Sequence, residues 1–264
     1  MEIAHPTSID EALAGLGEGV TPLAGGTDLM VEVNFRHTRP ENVVGLRRVA
    51  ELKEWEGARI GAGVTWRRIE RQGPQALAEA ARTVGSPQIR NAGTIGGNLG
   101  TASPAGDGHP FLAAVDATIE LVSSSGTRTI HWSDFFLGVK KTARRDDELI
   151  AAVHLPDRLP ERQAFGKIGI RNAMVIATVC AVVTRDDDGR TTVALGSVAP
   201  TPIRAPRAEE MISSIGAPTE ADRAEFQRLV SEEVTPITDH RSTEEYRRHG
   251  AGVLARRLLE RCLR

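Results

Sequence analysis

Apolar and polar positions along this chain follow two periods, and the period switches repeatedly. In TSIDEALAGL, residues 7–16, Ile9, Ala12, Leu13 and Leu16 fall on one helical face, with Ser8 and Glu11 spaced as a capping box. VTPLA, residues 20–24, is a short strand entering a glycine pair. Thr27 or Asp28 can cap a helix through Leu29, Met30, Val33 and Phe35. NVVGL and ARIGAGV are buried strands, and PQALAEAARTV is a helix with Pro74 in its first turn. After a second glycine pair, Asp107 can cap a helix through Pro110, Phe111, Leu112 and Ala114. TIELVSSSGTRTIHW is a hairpin turning near Ser125-Gly126, and ELIAAVHLP is a strand closed by Pro156. DRLPERQ, residues 157–163, marks a boundary. Beyond it AFGKIGI, MVIATVCAVVT and TTVALGSVA are strands, with RDDDGR a turn between the last two. Two helical stretches follow, TEADRAEFQRLVSEEV and STEEYRRHGAGVLARRLLERCL, the latter with Leu254, Leu258 and Cys262 on one face. Mixed elements, then strands, then helices make an α+β chain of more than one subdomain.

Composition narrows the function. The chain has 264 residues and a formal net charge of −2, with acids and bases interspersed, so no general attraction to nucleic acid is expected. No apolar run reaches membrane-spanning length. The start, MEIAHPTSIDEAL, lacks the basic and apolar regions of a signal peptide, which favours the cytoplasm. The 2 cysteines, Cys180 and Cys262, are expected as apolar core residues. An iron–sulfur cluster takes four cysteine thiolates, so this chain cannot hold one alone. The 7 histidines are scattered, and no metal-binding spacing, nucleophile triad or paired-carboxylate arrangement is evident. No catalytic residue is assigned.

The chemistry therefore rests on the glycine pairs in PLAGGTDLM, residues 22–30, and TIGGNLGTASPAGDGHP, residues 94–110. Paired glycines let the backbone approach a ligand closely and adopt positive φ, and successive N–H groups can then converge on an anion. Thr94, Asn98, Thr101 and Ser103 add neutral donors suited to phosphate or ribityl oxygens. Tight turns explain a Gly-Gly equally well. Neither motif fits G-x-G-x-x-G or G-x-x-x-x-G-K-[ST], which disfavours a Rossmann dinucleotide fold and a P-loop. GAGVTW, residues 61–66, begins like the former but ends in Trp66.

These two motifs resemble the FAD-binding loops of the flavin subunit of the molybdenum hydroxylases, the family of xanthine dehydrogenase and aerobic carbon monoxide dehydrogenase. The resemblance extends to PTSIDEALAGL, WSDFFLGVKKTARRDDELIAAVHLP, AFGKIGIRNAMVIATVCAVV, APTPIRAPRAEE and DHRSTEEYRRHGAGVLARRLL, in order. It implies a vanillyl-alcohol-oxidase-like (PCMH-type) FAD-binding domain over residues 1–156, made of two α/β subdomains at about 1–55 and 56–156. A C-terminal domain of antiparallel sheet and helices would cover 163–264. The segment Leu23, Ala24, Gly25, Gly26, Thr27, Asp28, Leu29 and Met30 would cradle the pyrophosphate through main-chain N–H groups. Thr94, Gly96, Gly97 and Asn98 would complete that cradle, with Ser103 nearby. Asp107 matches an aspartate near the nucleotide sugar or ribityl chain, Ile150 an aliphatic position near adenine or flavin, and Lys167 a lysine close to the flavin. Some members carry an aromatic at the position of Val84 and others near that of Met174; both are absent here.

Plainer readings stand beside these. Asp107 is also a helix cap, Lys167 a snorkelling edge-strand lysine, Thr94 and Ser103 hydroxyls bonding their own backbone, and the last helix a solvated amphipathic one. The resemblance implies an electron-transfer subunit. A molybdenum large subunit would hydroxylate the substrate, and electrons would pass through [2Fe-2S] clusters on a small subunit to FAD, then to NAD, oxygen or a quinone-like acceptor. Molybdopterin and clusters belong only to the partners. The rival readings are a stand-alone flavoprotein oxidase or dehydrogenase and a non-catalytic scaffold.

Overall fold

The computed structural model describes residues 1–264. Its first sheet has three parallel strands, in the order Glu2–Ala4, Asn42–Gly45, Val20–Leu23. The middle strand comes last in sequence, so the helix Ile9–Ala14 crosses over between the outer two. Ser8 caps that helix by accepting from Glu11 N. Glu11 turns instead to Thr7, whose N–H and Oγ1 donate to it, so the capping box is shifted by one residue. The strand Glu2–Ala4 escapes sequence reading because its three residues carry no alternation of their own.

The second sheet has five antiparallel strands in the order Trp55–Glu56, Arg59–Gly61, Leu149–His154, Thr118–Ser123, Gly126–His131. The hairpin closes at Ser123 opposite Gly126, whose φ of 137° suits glycine alone. Leu149–His154 is the central strand and is buried on both faces, which explains its unbroken apolar run. Helices Trp66–Gln72, Gln75–Thr83, Pro87–Ala92, Ile95–Thr101 and His109–Ala114 lie in sequence between the strands Arg59–Gly61 and Thr118–Ser123. Pro74 stands at the N-cap of Gln75–Thr83, just outside the first turn.

The C-terminal sheet runs Arg162–Ile168, Val179–Arg185, Thr191–Gly196, Ile203–Arg204, each antiparallel to the next. MVIATVCAVVT enters its strand only at Val179. The sheet is apolar on both faces, and side chains alternate between them with period two. Phe165, Cys180, Val182 and Ala194 join the larger core, against helices Gln75–Thr83 and His109–Ala114. Ala164, Val179, Ala181, Val183, Val193 and Leu195 face a second core roofed by Pro206–Ser213 and Glu244–Cys262, with Glu220–Glu233 packed on both helices. The last helix, expected to be solvated, buries Arg247, Ala251, Ala255, Leu258, Leu259 and Cys262. Cys180 and Cys262 are free and lie on opposite faces of the sheet. Burial raises the Cys262 thiol to about 11. No helix is long and apolar enough to cross a membrane.

Phe165 carries the aromatic surface by which the C-terminal sheet enters the larger core. Phe165→Ala is expected to cost about 3–5 kcal/mol. In urea unfolding the midpoint falls; a midpoint unchanged from wild type would show that the two units do not share this core.

Candidate functional site

The first glycine turn follows Leu23, the last residue of its strand, and ends where helix Leu29–Asn34 begins. Gly26 has φ of 73°, and Met30 N donates to its carbonyl at 3.1 Å. Each backbone N–H from Ala24 to Leu29 lacks a protein acceptor, and none of these residues is buried. Gly25 is held by packing: a Cβ there would stand 2.0 Å from the Ala92 oxygen. Asp28 occupies the N-cap but makes no side-chain cap bond. Its Oδ2 accepts from Thr101 Oγ1 at 3.1 Å, tying the first motif to the second.

The second motif is a helix rather than a loop. Thr94 caps Ile95–Thr101 by accepting from Gly97 N at 3.0 Å. Ile95 N donates to Val64 O at 3.0 Å, Gly96 N to Ala62 O at 2.9 Å and Asn98 N to Thr94 O at 3.0 Å. The main-chain donors expected from Gly96, Gly97 and Asn98 are therefore committed within the protein. What stays uncommitted is the Thr94 hydroxyl proton, the half-buried Asn98 side chain and the bare Cα of Gly97, beside Ala24. Gly96 serves packing, since its Cβ would lie 2.5 Å from Ala62 Cβ.

Ser103 does bond its own backbone: its Oγ accepts from Ala105 N at 3.3 Å, and Gly106 N donates to its carbonyl at 2.9 Å. Asp107 caps nothing. The next helix starts at His109 with Gly108 at its N-cap. Asp107 instead accepts from Lys167 Nζ at 2.6 Å and from Thr83 Oγ1 at 3.1 Å, while Lys167 also donates to Thr83 O at 3.3 Å. Lys167 is 8% exposed and Asp107 6%, so the lysine does not snorkel, although its strand is at the sheet edge. Burial pushes the Asp107 carboxyl upward, and the Lys167 ammonium and Thr83 hydroxyl pull against it. Its Oδ1 is buried without a partner.

Lys167 and Thr83 also line a cleft of about 330 Å³ with Gly169, Arg171, Asn172 and Met174. Met174 is 54% exposed on its rim with φ of 49°, and Val84 next to Thr83 is half-buried. Ile150 is not on this cleft. It lies beneath Ile95–Thr101, its Cδ1 3.8 Å from where a Gly100 Cβ would stand.

Sequence reading missed Trp66 and His109. Trp66 is buried beside the second motif. Its N donates to Gly93 O at 3.0 Å, and its ring leaves no room for a Cβ on Gly108, at 2.5 Å. The neighbouring glycines of GAGVTW serve Leu52: Cβ atoms on Gly61 and Gly63 would lie 2.4 and 2.9 Å from its oxygen. His109 is 1% exposed, with Nε2 3.2 Å from Asn98 O and the ring tilted against Phe136 at 4.7 Å. Burial lowers its pKa to about 4, against the raising effect of the Asn98 and Ser103 carbonyls. The signal for the missed helices was in their caps, Thr65 before Trp66 and Ser86 before Pro87.

Residues 1–158 match the family model of the FAD binding domain in molybdopterin dehydrogenase. The chain belongs to that family. Residues 164–262 match the CO dehydrogenase flavoprotein C-terminal domain. The nicotinate dehydrogenase FAD-subunit of Eubacterium barkeri is 38% identical over 240 residues, 82% of this chain and 80% of that one. The xanthine dehydrogenase FAD-binding subunit of Escherichia coli O157:H7 is 32% identical over 245 residues, covering 86% and 83%. A chain of the reconstituted CO dehydrogenase from Oligotropha carboxidovorans superposes with a TM-score of 0.92 at 30% identity, over 100% of this chain and 97% of that one. This chain is thus an FAD-binding subunit of an oxidoreductase family whose members work in multi-subunit complexes.

Two predictions follow from the buried charges. Lys167→Met strands a buried carboxylate and is expected to cost about 3–5 kcal/mol. Adding Asp107→Asn should recover most of it in denaturant melts; equal losses for single and double variants would mean the pair is not coupled. The second concerns acid. Burial holds the His109 pKa at about 4 in the fold, below the ordinary histidine value of 6.5 that it regains when unfolded. The unfolded chain therefore binds the extra proton first. Stability from this residue is complete above pH 6.5 and declines toward pH 4, by roughly 3 kcal/mol. His109→Gln should flatten that part of the stability–pH curve. An unchanged slope would place the acid sensitivity elsewhere.

Proposed function

We propose that this chain holds FAD noncovalently for electron transfer from an iron–sulfur small subunit to an external acceptor of the NAD, oxygen or quinone type. A molybdenum large subunit would carry the substrate chemistry. One observation supports the site above all: the run of N–H groups from Ala24 to Leu29 without protein acceptors, on a turn that touches the second motif. A pyrophosphate matches that donor set, because each oxygen accepts and none donates.

On this reading Leu23, Ala24, Gly25, Gly26, Thr27, Asp28, Leu29 and Met30 form the pyrophosphate turn. Gly26 gives it the left-handed corner. Thr94 and Asn98 offer side-chain donors to sugar or ribityl oxygens, with Ser103 at the end of the same helix. Gly96 lets the helix sit low on Ala62, and Gly97 presents no Cβ toward the cofactor. Ile150 supports the helix from below. The cleft beside Lys167 is of the size that takes a fused-ring ligand. There Lys167, neutralised by Asp107, would place a cation near the ring. FAD, when bound, supplies the capacity to take up and release electrons. The protein's part is to bind it, orient it and limit access of water. With the chain divided into residues 1–156 and 163–264, that cleft, lined by Thr83 and by Lys167 to Val175, would lie at the junction of the two units.

Titration with FAD should give one flavin per chain that acid precipitation releases. FMN should bind far more weakly because half the pyrophosphate is missing. Gly26→Val strains a left-handed corner by about 1–3 kcal/mol, and Gly97→Val fills the bare Cα. Both should lose FAD while the far-UV spectrum stays native; a fully flavinylated Gly97→Val protein would contradict the site. The FAD-loaded chain alone should not oxidise aldehydes, purines or N-heterocycles, yet after chemical reduction should reduce an artificial dye.

A further inference from the structure

We propose that His109 is a positioning residue for the cofactor site: its imidazole fixes the carbonyl end of helix Ile95–Thr101 and so sets where Asn98 and Ser103 stand. The inference rests on the reading that those two residues face FAD.

Helix Ile95–Thr101 has 7 residues and breaks at Ala102, which is left-handed with φ of 45°. A helix so short depends on what holds its ends, because its last carbonyls have no partner within the helix. Thr94 secures the start. At the other end the Asn98 carbonyl accepts from Ala102 N at 3.1 Å and faces His109 Nε2 at 3.2 Å. A carbonyl only accepts, so the ring proton is on Nε2. Gly106, which closes the turn that begins at Ser103, packs directly against the same ring. One imidazole thus spans the helix end and the turn Ser103–Gly106 that follows it.

The ring cannot drift. It rests on Phe136, and a Cβ on Gly106 would stand 2.3 Å from its Cε1. Packing alone does not ask for a histidine here. Nδ1 is buried without a partner. A buried unsatisfied acceptor is costly, and an apolar side chain of similar size would avoid that cost. What an apolar residue would lose is the Nε2–H donation to the helix end. His109 and Asn98 contribute to the site at different levels: Asn98 presents its side chain, and His109 holds the backbone that carries it.

The test uses the full chain with FAD, measuring dissociation constant, apo melting temperature and the visible circular dichroism of bound flavin. His109→Leu should leave apo stability at neutral pH equal or higher, yet weaken FAD about tenfold and change the flavin dichroism. His109→Gln, which can still donate to the Asn98 carbonyl, should restore most of the affinity. Gly106→Ala keeps the imidazole but displaces it, and should follow His109→Leu. Wild-type affinity in His109→Leu, or equal weakening in the Leu and Gln variants, would overturn the inference. Should the Leu variant not fold, the Gln and Gly106→Ala variants decide: wild-type affinity in Gly106→Ala, or weakening in Gln equal to or greater than it, overturns the inference. Gly97→Val and Asn98→Ala separate the two claims. If both bind FAD as wild type does, the site reading fails. If they weaken binding and His109→Leu does not, only the role of His109 fails.

Discussion

The contact between Gly25 and Ala92 sets the geometry of everything that bears on the cofactor. At 2.0 Å from a would-be Cβ to the Ala92 oxygen, no other residue fits without moving backbone. That approach brings the first glycine turn onto the segment leading into helix Ile95–Thr101. The Thr101–Asp28 hydrogen bond and the bare Cα of Gly97 beside Ala24 extend it. The turn's N–H groups from Ala24 to Leu29 are left without protein acceptors. None of these residues is buried, so water can serve the donors in the free chain.

The same logic of close approach runs through the second motif, with a different outcome. Its glycines lower the helix onto Ala62, and the underlying carbonyls of Ala62, Val64 and Thr94 take up its N–H groups. One motif is thus a set of donors and the other a wall with side-chain donors. The C-terminal unit completes the arrangement from further away. Its sheet has two apolar faces, so it must be covered twice, once by its own helices and once by those of the FAD-binding domain. That second covering carries Lys167 to Asp107 and builds the cleft's floor from both units.

Much of this was legible in the sequence because the signals were local. Alternation marked the hairpin, unbroken apolar runs marked Leu149–His154 and the C-terminal strands, and the paired glycines marked the proposed site. The resemblance ordered the motifs into one family. What was not legible depends on contacts distant in sequence. Asp107 reads as a cap because the residues after it look helical; only the fold shows Lys167 within 2.6 Å. Gly96-Gly97 reads as a loop because glycine disfavours helices, and the cap at Thr94 and the tight fit on Ala62 override that preference. His109 gave no signal at all, since its role lies in a carbonyl on the far end of another helix.

The central claim is that the amides from Ala24 to Leu29 hold a pyrophosphate. Amide hydrogen exchange over that segment tests it most directly, with and without FAD, with ADP as a pyrophosphate lacking the flavin, and with riboflavin as a flavin lacking phosphate. The account predicts fast exchange in the free chain, marked slowing with FAD and with ADP, and little change with riboflavin. Exchange from Ala24 to Leu29 that stays fast while FAD is fully bound would contradict it.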